Sequence, residues 1–259
     1  MSPERSGGRG HRTGLTLVEL LVTIAIVAVL VGLMLVAVGR VRTSAAVVQT
    51  AEDLRSLGRY VASRATDHRG ELPRSRHSGF DFAHPERMYE QWTYEYFDFT
   101  GADGAYENVE DRKRFINERL RSPLDDRTDL CEGYGFNVYF ELRGDDDPSG
   151  PVETADGRSW RRLSLAPAPV RTVLFGETGS PPATMGTTPQ PRDHFMAHFW
   201  AQYGADTTHE VRSGPTSAPP VFCFLDGHTE SRPFENTFRR IDGDRVVRDL
   251  WNPATAGRR

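Results

Sequence analysis

The chain has 259 residues with 32 basic and 36 acidic side chains, a formal charge of −4 and a pI near 6.1, so it offers a polyanion no electrostatic footing and nucleic acid is not an expected partner. Lys113 is the only lysine, which argues against a lysine Schiff-base enzyme and leaves the positive charge as guanidinium. Mean hydropathy is −0.53, yet the apolar residues gather in one block near the N-terminus, so the average covers two kinds of chain.

The first stretch, residues 1–14, is a basic leader in which Arg5, Arg9 and Arg12 outweigh Glu4, and it ends in Gly14. Residues 20–39 then carry no charge, and as a helix rising about 1.5 Å per residue they span the roughly 30 Å hydrocarbon core of a bilayer. An ordinary secretory signal peptide has the same order of basic start, apolar middle and small residues, here Ala37 and Gly39. Its apolar middle is shorter, about 7 to 15 residues. A lone acid, Glu19, lies at the edge of the block. A carboxylate inside an apolar helix costs about 2.5 to 3.5 kcal/mol at mid-membrane and less near the interface, so it asks for a partner. Arg40, Arg42, Arg55 and Arg59 follow the span as closely as the leader arginines precede it, and the positive-inside rule therefore leaves orientation undecided.

The string GLTLVELLVTIAIVAVL, residues 14–30, resembles the class III signal of type IV prepilins and type II secretion pseudopilins. The resemblance implies that a prepilin peptidase cuts after Gly14 and methylates the new N-terminus at Leu15, a position where the family more commonly has phenylalanine. It gives Glu19 the role of meeting the charged N-terminus of a neighbouring subunit during assembly, which would offset its burial. It also implies a single pass through the inner membrane, a periplasmic soluble domain and, after assembly, a place in a pilus, pseudopilus or cell-surface filament built from copies of this chain and other pilin-like subunits. The domain reading is a leader at 1–14, a transmembrane and assembly helix at 15–39, an amphipathic continuation at 40–66 and a soluble domain at 67–259.

Beyond the span, Val47, Ala51, Leu54, Gly58, Val61 and Ala65 recur in steps of three and four, which predicts that one helix continues to about residue 66. Asp67, His68, Gly70 and Pro73 supply stop signals. The segment AEDLRSLGRYVASRATDHRGELP, residues 51–73, resembles the soluble half of the pseudopilin helix. A second helix is predicted around 110–121, and strands at 135–142, 170–177, 221–226 and 229–234. Residues 145–150 and 179–191 read as loops. The order implies an α+β class: a pilin-like long N-terminal helix packed on an antiparallel sheet with long loops.

Residues 221–230 form an apolar strand, an Asp-Gly turn and a second strand, a hairpin in which glycine permits positive φ. Four strings, RSPLDD at 121–126, YGFN at 134–137, PVRTVLFGET at 169–178 and FCFLDGHTE at 222–230, together resemble a large prepilin-type family of planctomycete-like and verrucomicrobial bacteria. That family's C-terminal signature is a histidine, nine residues, then Asp-Gly-His, which picks out Asp226, Gly227 and His228. Sixteen residues intervene between His209 and Asp226, and Ser122-Pro123 stands where the family has Cys-Pro.

An enzyme reading competes. His194, His198, His209, Asp226 and His228 fall within 35 residues, and a helix would set His194 and His198 on one face, as a zinc hydrolase uses. The string HFMAH lacks the glutamate that follows the first histidine in HExxH enzymes. No cofactor is expected. Calcium stays open, with candidate oxygen ligands at Asp145, Asp146 and Asp147, or at Asp242 and Asp244 in IDGDR, and Glu177 has the same standing. Cys131 and Cys223 allow one intramolecular disulfide, or two buried thiols. The expected role is assembly as a filament subunit, without catalysis.

Overall fold

The computed structural model describes residues 17–75, 92–97, 109–125, 133–142, 158–179, 194–195, 218–241 and 245–257. The chain divides into two units, Met1–Ser44 and Ala45–Arg259, and helix α1, Leu17–Asp67, begins in the first and ends in the second. In the first unit every helix residue from 17 to 42 is exposed. In the second, Thr50, Leu54, Leu57, Gly58, Val61 and Ala65 are buried, with Val47, Ala51 and Tyr60 half-buried beside them. The three-and-four spacing thus becomes a packed face, widened by Thr50 and Leu57.

The helix stops one residue past Thr66. The Gly70 N–H donates to the Ala65 carbonyl at 2.6 Å and the His68 N–H to that of Arg64 at 2.9 Å, which satisfies carbonyls the helix leaves open. Closing this turn puts Arg69 at φ 56°, the left-handed conformation that glycine takes at no steric cost, and Gly70 follows at φ 87°. Two short helices come next, α2 at Trp92–Tyr96 and α3 at Val109–Arg119; α3 falls where a helix is predicted, whereas α2 is not foreseen.

Five strands form the main sheet: β1 Tyr134–Asn137, β2 Val173–Glu177, β3 His194–Phe195, β4 Val221–Phe224 and β5 Thr229–Ser231, in the order β3-β1-β2-β4-β5. Pairing is antiparallel except between β1 and β3, which run parallel, so the expected antiparallel sheet is mixed at that edge. All four predicted strands are shorter than expected: 3-10 turns take up the ends of three, at Val138–Glu141, Pro169–Arg171 and Phe234–Asn236, and β4 stops at Phe224 for the turn into β5. A separate hairpin, β6 Phe238–Ile241 with β7 Arg245–Asp249, is not predicted from the sequence.

Both faces of the main sheet are covered. Along β4, Val221 and Cys223 join the cluster that holds Leu54, Leu57 and Val61 of α1, Trp92 of α2, Ile116 of α3 and Phe136 and Phe175 of the sheet. Phe222 and Phe224 join the opposite cluster with Val173, Phe195, Phe238, Leu250 and Trp251. The period of two in β4 is the geometry of a strand packed on both sides. In β2 a bulge breaks that period: Val173 faces Phe224 but Phe175 faces Cys223, so Leu174 and Phe175 both belong to the helix-side cluster. The same bulge sets the face to which Glu177 belongs.

Candidate assembly helix and buried polar centre

In the first turn of α1, Glu19 is exposed, and a carboxylate there is favoured by the unpaired N–H groups of the helix start. Thr23 returns its hydroxyl to the Glu19 carbonyl at 2.5 Å. Large apolar side chains surround the helix axis in this segment and all stand in the open, from Val38 at 43% to Leu17 at 78% exposed. The helix is long and apolar enough to cross a membrane. Gly14 and Leu15, the expected processing residues, lie outside the described residues.

The second unit carries its chemistry inside. Glu177 ends β2 with no exposed surface; its Oε1 accepts the Ser122 hydroxyl at 2.6 Å and its Oε2 accepts the Val221 N–H at 2.6 Å. Ser122 has a single proton and gives it to the carboxylate, so Thr50 of α1 is the donor in the 3.1 Å contact between the two hydroxyls. The Ser122 oxygen also accepts the Leu124 N–H at 3.2 Å. One connected polar chain therefore runs from α1 through the Ser122-Pro123 segment to β2 and β4, and each bond of it is sheltered from water.

Asn137 plays a parallel role at the end of β1. Its amide donates to the carbonyls of Val173 and Trp251, both at 2.7 Å, and its Oδ1 accepts the Tyr139 N–H at 3.0 Å. The indole of Trp251 lies 4.1 Å from the ring of Phe195 with the planes 4° apart, and its Nε1 donates to the Thr237 hydroxyl at 3.0 Å. Asp249 holds this terminal turn by accepting the N–H groups of Trp251 and Asn252, and burial pushes its carboxyl up to about 6. On the helix side, the Tyr134 hydroxyl donates to Asp53 at 3.1 Å, and burial raises both groups above their usual ranges.

Asp226, Gly227 and His228 form the turn between β4 and β5. The Gly227 N–H donates to the Phe224 carbonyl at 2.8 Å and Gly227 takes φ 89°, so the central pair of the turn is Leu225-Asp226 and glycine occupies the left-handed position after it. Asp226 Oδ1 accepts the His228 N–H at 3.2 Å and contacts Nδ1 of the same residue, while the imidazole stacks on Phe224 at 4.3 Å. Helix α1 comes close to this turn because Gly58 has no side chain: a Cβ there would stand 3.0 Å from Cys223 Sγ and 3.5 Å from Gly227 Cα. Cys223 is a free thiol, and its burial, with the charge of Asp226 adding to it, pushes it up to about 12. Cys131 lies outside the described residues.

His194 is in the extended strand β3, so the helical face expected to pair it with His198 does not form at this residue. Parallel pairing with β1 sets His194 opposite Phe136 and fixes the local backbone as strand. His198 and His209, and the calcium candidates Asp145, Asp146, Asp147, Asp242 and Asp244, lie outside the described residues. Among the described residues no three histidine, cysteine or carboxylate side chains come together as a metal would require. Thr50 and Trp251 have no signal in the sequence that marks them. Ser122 and Asn137 are visible there only as members of strings, and Glu177 as a string member and calcium candidate.

The family described as the prokaryotic N-terminal methylation motif matches residues 9–35, which cover the end of the leader and all but the last four residues of the uncharged run 20–39. The match supports a prepilin-type protein. No curated protein and no solved structure matches the chain.

Proposed function

We propose that this chain is a prepilin-like filament subunit, cut after Gly14 by a prepilin peptidase, N-methylated on Leu15 and then assembled with copies of itself and other pilin-like subunits into a pilus or a type II secretion pseudopilus. The observation that carries the reading is the coincidence of the methylation motif at 9–35 with a helix exposed on every side from 17 to 42. Such a surface is stable in two settings, the lipid of a membrane and a bundle of like helices. A prepilin subunit passes from one to the other. Before assembly residues 15–39 hold it in the inner membrane, residues 40–66 continue the helix, and residues 67–259 complete the soluble domain on the periplasmic side. Glu19 supplies the carboxylate that pairs with a neighbour's methylated N-terminus.

The test is mass spectrometry of the N-terminus of the chain recovered from membranes of cells with and without the peptidase. The expected result is a chain beginning at N-methylated Leu15 only where the peptidase is present. An N-terminus beyond Ala37, or an intact Met1 in both strains, would refute the reading. Glu19→Ala is expected to be processed but not assembled.

A further inference from the structure

We infer that Arg40 and Arg42 are a phospholipid-binding pair which, together with Glu19, fixes the depth at which the unassembled subunit rests in the bilayer. The inference builds on the membrane-anchored reading above and adds the ligand, phospholipid phosphate, and the residues that take it.

Glu19 and Arg40 bracket an uncharged run of 20 residues. The 21 helical steps between them span about 31 Å, which equals the roughly 30 Å hydrocarbon thickness of a bilayer to within one residue. When the Arg40 backbone stands at one edge of the hydrocarbon, with its guanidinium reaching out to the phosphates, Glu19 therefore stands at the other edge, beside water-accessible headgroups, and its desolvation cost arises only when the helix is moved inward. The arginines themselves favour such a role. Arg40 and Arg42 are both exposed, and two residues on a helix lie about 200° apart around the axis, so each reaches a different lipid. Guanidinium forks bind phosphate oxygens in pairs while their stems lie along apolar surface. Farther along α1, Arg55 pairs with Glu52 and Arg64 with Glu95; among the described residues neither Arg40 nor Arg42 has a carboxylate partner. Thr43, beside them, spends its hydroxyl on the Gly39 carbonyl at 3.2 Å.

The experiment is a depth profile of the full chain in vesicles of phosphatidylethanolamine and phosphatidylglycerol. In a Cys131→Ser background, single cysteines at Thr23, Ile26, Leu30, Met34 and Val38 carry a nitroxide, and accessibility to oxygen is compared with accessibility to a water-soluble nickel chelate. The buried Cys223 is sheltered from the labelling reagent. The expected maximum depth is at Leu30, midway between Glu19 and Arg40. Arg40→Gln with Arg42→Gln should move that maximum towards the C-terminus by two residues or more, about 3 Å, and Arg40→Lys with Arg42→Lys should leave it in place. An unmoved profile in the glutamine variant, or a maximum at Ile26 or Met34 in the unsubstituted helix, overturns the inference while leaving N-methylation of Leu15 untouched. Failure of the chain to enter vesicles at all overturns both the inference and the membrane anchor.

Discussion

Replacing Glu177 by alanine removes the acceptor for two donors that have no other access to water, the Ser122 hydroxyl and the Val221 N–H, each at 2.6 Å. A buried donor left unpaired costs about 1 to 3 kcal/mol, so the two together set an expected loss of about 2 to 6 kcal/mol. Ser122→Ala removes one bond to Glu177 and takes the acceptor from two buried donors, the Thr50 hydroxyl and the Leu124 N–H, for an expected loss of about 2 to 6 kcal/mol. Glu177→Gln keeps an acceptor for the Val221 N–H, and its amide donates to the Ser122 oxygen once that hydroxyl rotates, so its cost should be smallest, about 1 kcal/mol. The assay is urea unfolding of the chain in detergent micelles, followed through the buried tryptophans Trp92, Trp160 and Trp251. Hydrogen exchange at the Val221 amide provides a local readout. A Glu177→Ala variant within 1 kcal/mol of the parent, or one less destabilised than Glu177→Gln, would refute the reasoning.

Asp249 makes stability depend on pH. Burial pushes its folded carboxyl up to about 6, against 3.8 for an unperturbed aspartate, so the native state keeps the proton longer than the unfolded chain does. The contribution is complete below pH 3.8, is lost as pH rises towards 6, and amounts to about 3 kcal/mol at about 1.4 kcal/mol per unit. Asp249→Asn keeps the acceptor for Trp251 and Asn252 and should abolish that slope; parallel urea midpoints for the two proteins from pH 4 to 7 would count against it. Arg69→Gly should relieve the left-handed strain at the end of α1 and stabilise the chain by about 0.5 to 1 kcal/mol. An equal gain from Arg69→Ala would show that the removed charge, and not the dihedral angle, is responsible. Gly176→Ala would set a Cβ 2.8 Å from Cη2 of Trp251 and 3.1 Å from the Phe222 ring, and should cost about 1 to 3 kcal/mol with a shift in tryptophan emission.

The parts of this fold that are legible in the sequence are those that obey a local period. Leu54, Gly58, Val61 and Ala65 mark the packed face of α1 because a helix repeats every 3.6 residues, and β4 is legible as an apolar run ending in Asp-Gly. The hairpin β6–β7 escapes because FRRI and RVVRD set like residues side by side, Arg239-Arg240 and Val246-Val247, so no period of two marks them as strands. Strand β3 escapes because two residues carry no period, and their conformation comes from β1 across the sheet. The polar centre is hidden for another reason. Thr50, Ser122 and Glu177 are 72 and 55 positions apart along the chain, and nothing local to any of them announces that the bulge at Leu174 and the helix stripe will bring them together. At the N-terminus the situation is reversed: the methylation motif is entirely local, and the sequence carries it without help from folding.

The position of Thr50 has a mechanical consequence. Residues 47–65 of α1 are part of the soluble domain's own interior, joined to the sheet by the Thr50–Ser122–Glu177 bonds and by the close fit of Gly58 against Cys223. A pull along the helix axis therefore loads these contacts in shear, many at once, instead of peeling them apart one at a time. Over residues 47–65 the helix behaves as a reinforcing rod cast into the domain, and tension on this segment would be borne by the core contacts together.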